Sequence, residues 1–84
     1  MLVHVYSLKK PVFHAEAKSV NAKTVSGEIT VLDNHRPLII PLSQDGALRI
    51  VPTAGAEHVF DYHGGFLDVR PAPPAGGEVN VLVD

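Results

Sequence analysis

Cysteine is absent from this chain, so it has no disulfide framework, no thiolate metal site and no thiol nucleophile. Long apolar runs are missing too: none approaches the ~20 residues that a membrane-spanning helix needs. Nor is there an excess of positive charge. A net charge of -2 spread over mixed signs argues against a nucleic-acid surface, for which a basic patch is the electrostatic requirement. The opening MLVHVYSLKK sets its lysines after its apolar residues, the reverse of a secretory signal. Together these absences set the expectation of a soluble protein in a reducing compartment, cytosolic or matrix-facing. The 84 residues bound the chain to one small domain. A domain of that size buries only about 60–65% of the surface its unfolded chain exposes, so its core is thin and gains from a partner.

Helical periodicity is also lacking, and what fills the chain instead is short apolar segments punctuated at regular intervals, an all-β signature. Leu2 to Tyr6 is a first strand rich in β-branched residues, stopped by Ser7 to Pro11. Val12 to Val25 is one long extended stretch in which Val12, Ala15, Ala17, Val20 and Ala22 can meet a core. Strands usually run about five or six residues, so its length predicts a bend or bulge between Ala15 and Ser19. Glu28 to Leu32 follows, and then the polar turn Asp33 to Arg36, whose Asp and Asn side chains can bond their own backbone. Leu38 to Leu42 is apolar throughout, the pattern of a strand covered on both sides. Asp45-Gly46 is a tight hairpin signal before Ala47 to Val51. Glu57 to Tyr62 alternates, and after Gly64-Gly65 so does Phe66 to Arg70, with Leu67 and Val69 opposed to Asp68 and Arg70. PAPPAGG, Pro71 to Gly77, fits neither a helix nor a central strand, and VNVLVD ends the chain as another strand. The architecture expected is a small sandwich of two antiparallel sheets. Its core should hold Leu2, Phe13, Val20, Ile29, Val31, Leu38, Leu48, Ile50, Phe60, Leu67, Val69 and Val81.

Five histidines invite a metal site, but none stands in an H-x-H or H-x-x-x-H spacing that would put two imidazoles on one face. His58 and His63 are the pair expected to approach, and two ligands fall short of the three that catalytic zinc needs. The serines Ser7, Ser19, Ser26 and Ser43 lack a G-x-S-x-G setting. Gly64-Gly65 runs into a strand, whereas a phosphate loop needs a helix N-terminus after it. The carboxylates Glu16, Glu28, Asp61 and Asp68 read as solvated strand faces. No catalytic, metal-binding or cofactor-binding residue is therefore expected. What remains is contact surface. If Leu38, Ile40 and Leu42 face inward, Ile39 points outward beside His35 and Arg36, and exposed apolar groups rimmed by polar ones mark contact sites.

Four segments in series, SGEITVLDNHRPL from Ser26, GALRI from Gly46, HGGFLDV from His63 and VNVLVD from Val79, carry a resemblance over nearly the whole chain. Their order and spacing resemble the N-terminal β-sandwich domain of the F-type ATP synthase epsilon subunit, called delta in mitochondria. The resemblance implies a non-catalytic central-stalk subunit that binds gamma and the c-ring and couples rotation to ATP synthesis. It would lie at the cytoplasmic face of an energy-transducing membrane as a peripheral subunit. By resemblance, the turn pair Gly27 and Glu28 faces the c-ring. Ser7, His35, Arg36 and the segment Leu38, Ile39, Ile40 and Pro41 are implied in gamma contact.

The chain also departs from the family pattern. Thr30 stands where glycine is frequent, Asp33-Asn34 where Pro-Gly or Pro-Asn is frequent, Arg36 in place of a small residue, and His63 in place of serine. The family's C-terminal helical hairpin, which inhibits ATP hydrolysis, has no counterpart in these 84 residues. The expectation is a domain that couples and assembles without inhibiting through that arm or sensing ATP. A free-standing β-sandwich binding module and, behind it, a cupin-type metalloenzyme are the other readings the residues allow.

Overall fold

Eight strands and no helix make up the fold in a computed structural model that describes residues 1–7 and 13–84. They are β1 (Leu2–Ser7), β2 (Phe13–Thr24), β3 (Gly27–Val31), β4 (Leu38–Pro41), β5 (Gly46–Pro52), β6 (His58–Tyr62), β7 (Gly65–Arg70) and β8 (Glu78–Val83). The break expected at Leu8 to Pro11, and Val12 as a core residue, lie outside the described residues.

The strands form two layers that share β2. One sheet runs β4-β7-β8-β1 and takes in the first half of β2, whose Phe13 to Glu16 pair with β1. The second half of β2 lies between β3 and β5, with β6 outside β5. The passage between layers falls where the register with β5 shifts, between Ala17 and Ser19. That is the stretch in which the strand's length called for a bulge, and a bulge both bends and twists a strand. All pairs are antiparallel except β1 with β8, which run parallel from Leu2 opposite Glu78 to Ser7 opposite Val83.

Alternation places one side chain of every two between the layers. Val3, Val5, Val20, Val31, Leu48, Ile50, Tyr62, Leu67, Val69, Val79 and Val81 are buried there, and Phe13, Ile29, Leu38, Ile40 and Phe60 pack against them half-buried. Leu2 is not one of them. It has the parity of His4 and Tyr6 and faces outward, so Val3 and Val5 are what β1 contributes to the core.

Three local expectations are corrected. The strand from Leu38 is not covered on both sides: β4 is an edge, paired with β7 alone, with Ile39 and Pro41 exposed. Asp45-Gly46 does not join two paired strands, because β4 pairs with β7 and β5 with β2 and β6. It is instead a corner between sheets, with Asp45 at φ 59. In the 33–36 turn the Asp33 and Asn34 side chains bond outward and not to the turn's own backbone. Asp33 Oδ1 accepts from the Met1 nitrogen at 2.7 Å, and Asn34 Oδ1 accepts from the Ala72 amide at 3.1 Å. The Asn34 amide donates to the Gly76 carbonyl at 2.7 Å, so the turn is fastened to the Pro71 to Gly77 connection.

Candidate partner-docking face

The outer face of the β4-β7-β8-β1 sheet carries a row of apolar side chains set by strand register. Pro41 of β4 lies opposite Phe66 of β7, Phe66 opposite Leu82 of β8, and Leu82 opposite Tyr6 of β1. All are exposed: Phe66 by 51%, Leu82 by 53% and Tyr6 by 40%. Phe66, Leu82 and their neighbours Gly65, Val83 and Asp84 line a shallow, mostly apolar depression. Ile39, 73% exposed, stands one row away, opposite Asp68. Beyond Asp68 that second row runs through Asn80, His4 and His14, so a polar band borders the apolar one. Apolar side chains lined up across several strands and rimmed by polar groups form a contact surface, unlike single exposed apolar residues, which are ordinary.

The residues singled out from sequence fall around this face in two groups. Ser7 ends β1, one residue past Tyr6 and opposite Val83. In β4, Ile39 and Pro41 face out while Leu38 and Ile40 turn inward against the core. His35 and Arg36 precede β4: the His35 amide donates to the Leu32 carbonyl at 3.2 Å, and its ring Nδ1 donates to the Arg36 carbonyl at 2.8 Å. A carbonyl only accepts, so Nδ1 carries the proton. Gly27 and Glu28 lie at the other end of β3 from His35, both exposed, with Glu28 opposite Lys23. The length of β3 thus separates Gly27 and Glu28 from His35 and Arg36.

The turn before Glu28 nevertheless touches the apolar row. The Val25 amide donates to the Pro41 carbonyl at 3.1 Å, and Thr24 and Leu42 form a β-bridge. Thr24 is buried; its hydroxyl donates to the Gly27 carbonyl at 2.7 Å and accepts from the Ser26 amide at 3.1 Å. Gly27 adopts φ 112, which an L side chain rarely takes, so this turn depends on glycine.

Phe66, Leu82 and Tyr6 were not singled out from sequence, though a signal existed. Phe66 has the parity of Asp68 and Arg70, so an apolar side chain stands on a solvent-facing position. Only the register shows that three strands do the same at one level.

His58 and His63, the pair expected to approach, have other partners. His58 packs on Phe13, with ring centroids 4.7 Å apart, and the His63 ring nitrogen meets Asp45 at 2.6 Å. The pair that does approach is His4 and His14, at 5.8 Å across β1 and β2. Among the described residues no three His, Cys, Asp or Glu side chains are grouped to hold a metal ion, and no helix is long and apolar enough to cross a membrane.

The model of the ATP synthase delta/epsilon chain β-sandwich domain matches residues 1–84. The ATP synthase epsilon chain of Nocardia farcinica is 31% identical over 84 residues, which is 100% of this chain and 61% of that relative. That of Anoxybacillus flavithermus is 41% identical over 69 residues, covering 82% of this chain and 50% of the relative. The chain therefore spans about half to three-fifths of the length of these curated relatives. Among solved structures, a chain of the Euglena gracilis mitochondrial ATP synthase (OSCP/F1/c-ring) superposes with a TM-score of 0.77 at 17% identity, covering 99% of this chain and 49% of that one. A chain of the Tetrahymena thermophila mitochondrial ATP synthase central stalk/c-ring also gives 0.77 at 17% identity, covering 62% of its own length. At that identity the likeness speaks for the fold, and the sequence match from first residue to last speaks for descent: this chain belongs to the delta/epsilon β-sandwich family of ATP synthases.

Proposed function

We propose that the domain is a non-catalytic coupling module of the ATP synthase central stalk, seated between a gamma-type subunit and the c-ring. The observation that carries this reading is the exposed row Pro41, Phe66, Leu82 and Tyr6, lying beside a polar, glycine-dependent turn that presents Glu28. An apolar face of this kind suits a lasting contact, which is what a stalk partner turning with the module requires. A charged turn suits the other contact, with polar loops, where electrostatic fit sets register. On this reading Ile39 and Pro41 meet gamma directly, Leu38 and Ile40 hold β4 in place, and Ser7, His35 and Arg36 border the contact. Gly27 and Glu28 face the c-ring. The module is then peripheral to the membrane complex, on the side from which the central stalk projects.

Reconstitution with an epsilon-depleted ATP synthase tests the reading. The chain should co-purify with gamma and restore ATP synthesis coupled to ion flow. Phe66→Ser or Leu82→Ser should weaken the gamma complex by about 1–3 kcal/mol, the range of central interface residues. Glu28→Lys should leave gamma binding intact and lower the coupling of rotation to ion flow. Failure to bind gamma, together with failure to restore coupled synthesis, would favour a binding module of unrelated function.

A further inference from the structure

The β2–β5 ladder ends at Asn21 opposite Arg49, and the next alternate position on β2, Lys23, has its backbone bonded in another way. The buried Tyr62 at the end of β6 reaches it. Its hydroxyl donates to the Lys23 carbonyl at 2.7 Å and accepts from the Lys23 amide at 3.1 Å. The same carbonyl accepts from the Ser43 amide at 3.0 Å. One side-chain hydroxyl thus takes the place of the missing rung, immediately before the Thr24 to Gly27 turn. Gly46 leaves the space: a Cβ there would come within 2.6 Å of the hydroxyl oxygen and 2.8 Å of ring Cζ. A phenol hydroxyl is a demanding group to bury, and burial of this one requires partners aligned with both its donor and its acceptor roles.

We infer that the Tyr62 hydroxyl is a positioning group: through Lys23 it fixes the β2–β3 turn that presents Glu28, and so sets how that charge meets a partner loop. The inference rests on the proposed c-ring contact of that turn. Six hydrogen bonds converge within a few residues. Tyr62 and Ser43 hold Lys23, the Thr24 hydroxyl holds Gly27 and Ser26, and Val25 is held by Pro41. A turn so fastened transmits a push into both sheets with little play, whereas a freely hinged turn would absorb it. If Tyr62 served only to fill the core, its ring would suffice and the hydroxyl would be dispensable.

Tyr62→Phe keeps the ring and removes the bonds. In the 84-residue chain, hydrogen exchange at Lys23 and at residues 25–28 should quicken about tenfold, while the β1 and β8 amides keep their protection. In the reconstituted synthase the variant should retain gamma binding and the ATPase kcat but pump fewer ions per ATP hydrolysed, the loss also expected of Glu28→Lys. Thr24→Val, which loosens the same turn from within, should reproduce the loss by a separate route. Unchanged exchange in the turn overturns the inference. So does a loosened turn with normal pumping when Glu28→Lys still impairs it. If Glu28→Lys pumps normally as well, the c-ring contact itself is what fails, and the positioning role falls with it.

Discussion

Gly65 lies so close against the Leu82 carbonyl that a methyl group on its α-carbon would overlap that oxygen, and its φ of 138 lies where side chains are strained. Gly65 stands where β7 enters the sheet beside β8, opposite Val83 and one residue before Phe66, whose pairing with Leu82 forms the middle of the apolar row. Gly65→Ala should therefore cost more than about 2 kcal/mol in urea unfolding, since it combines a backbone clash with a disfavoured dihedral. Gly64 next to it is the control. A Cβ there would make an ordinary 3.7 Å contact with Asp84, and Gly64→Ala should stay within about 1 kcal/mol of the parent.

Stability and binding should separate by face. Leu48 is fully buried, and Leu48→Ala should cost about 2–5 kcal/mol through lost transfer energy and the cavity left behind. Ile39→Ala removes a side chain already in solvent and should change stability by no more than about 0.5 kcal/mol. Titration against gamma should show the reverse order of effect per unit of stability lost. If Ile39→Ala binds gamma as the parent does, β4 is not part of the contact.

Added zinc should leave the melting temperature of the dialysed protein unchanged. A ligand that binds the native state alone raises it by mass action, so a shift would reveal a site. His4 and His14 are the side chains to replace first if one appears, because they are the histidines that approach across strands.

The Arg49–Glu57 pair, 2.8 Å apart and exposed on both sides, should contribute little. A double-mutant cycle with Arg49→Met and Glu57→Gln should return about 0.2–1 kcal/mol, shrinking further in high salt.

Strand positions were legible because turn residues and alternation are local. Every expected strand appears within a residue or two, and the excess length of the second one announced its bulge between Ala17 and Ser19. Pairing was less legible. Nothing near Leu2 or Glu78 signals that β1 and β8 run side by side, because register between distant strands leaves no local mark. The segment from Leu38 misled for the same reason: a run of apolar residues marks a strand covered on both faces or an edge with a sticky outer face, and only its neighbours decide. Spacing along the chain gives no sign of the His4 and His14 pair, because their proximity runs across strands. The glycine-dependent turn at Gly27 was readable as a turn, but its support from Tyr62 was not, since the two lie far apart in sequence.

The parallel pairing of β1 with β8 has a consequence for how the chain acquires its structure. On the ribosome Leu2 to Ser7 emerges well before its partner strand and cannot pair with it until Glu78 to Val83 follows, so the layer bearing the apolar row closes late. Contacts of such sequence separation fold slowly, on millisecond to second scales. In that interval Phe66 and Tyr6 sit beside unpaired strand edges, a state prone to association with other chains. Early capture by the stalk partner would shorten that exposure, making assembly order a determinant of yield as well as of architecture.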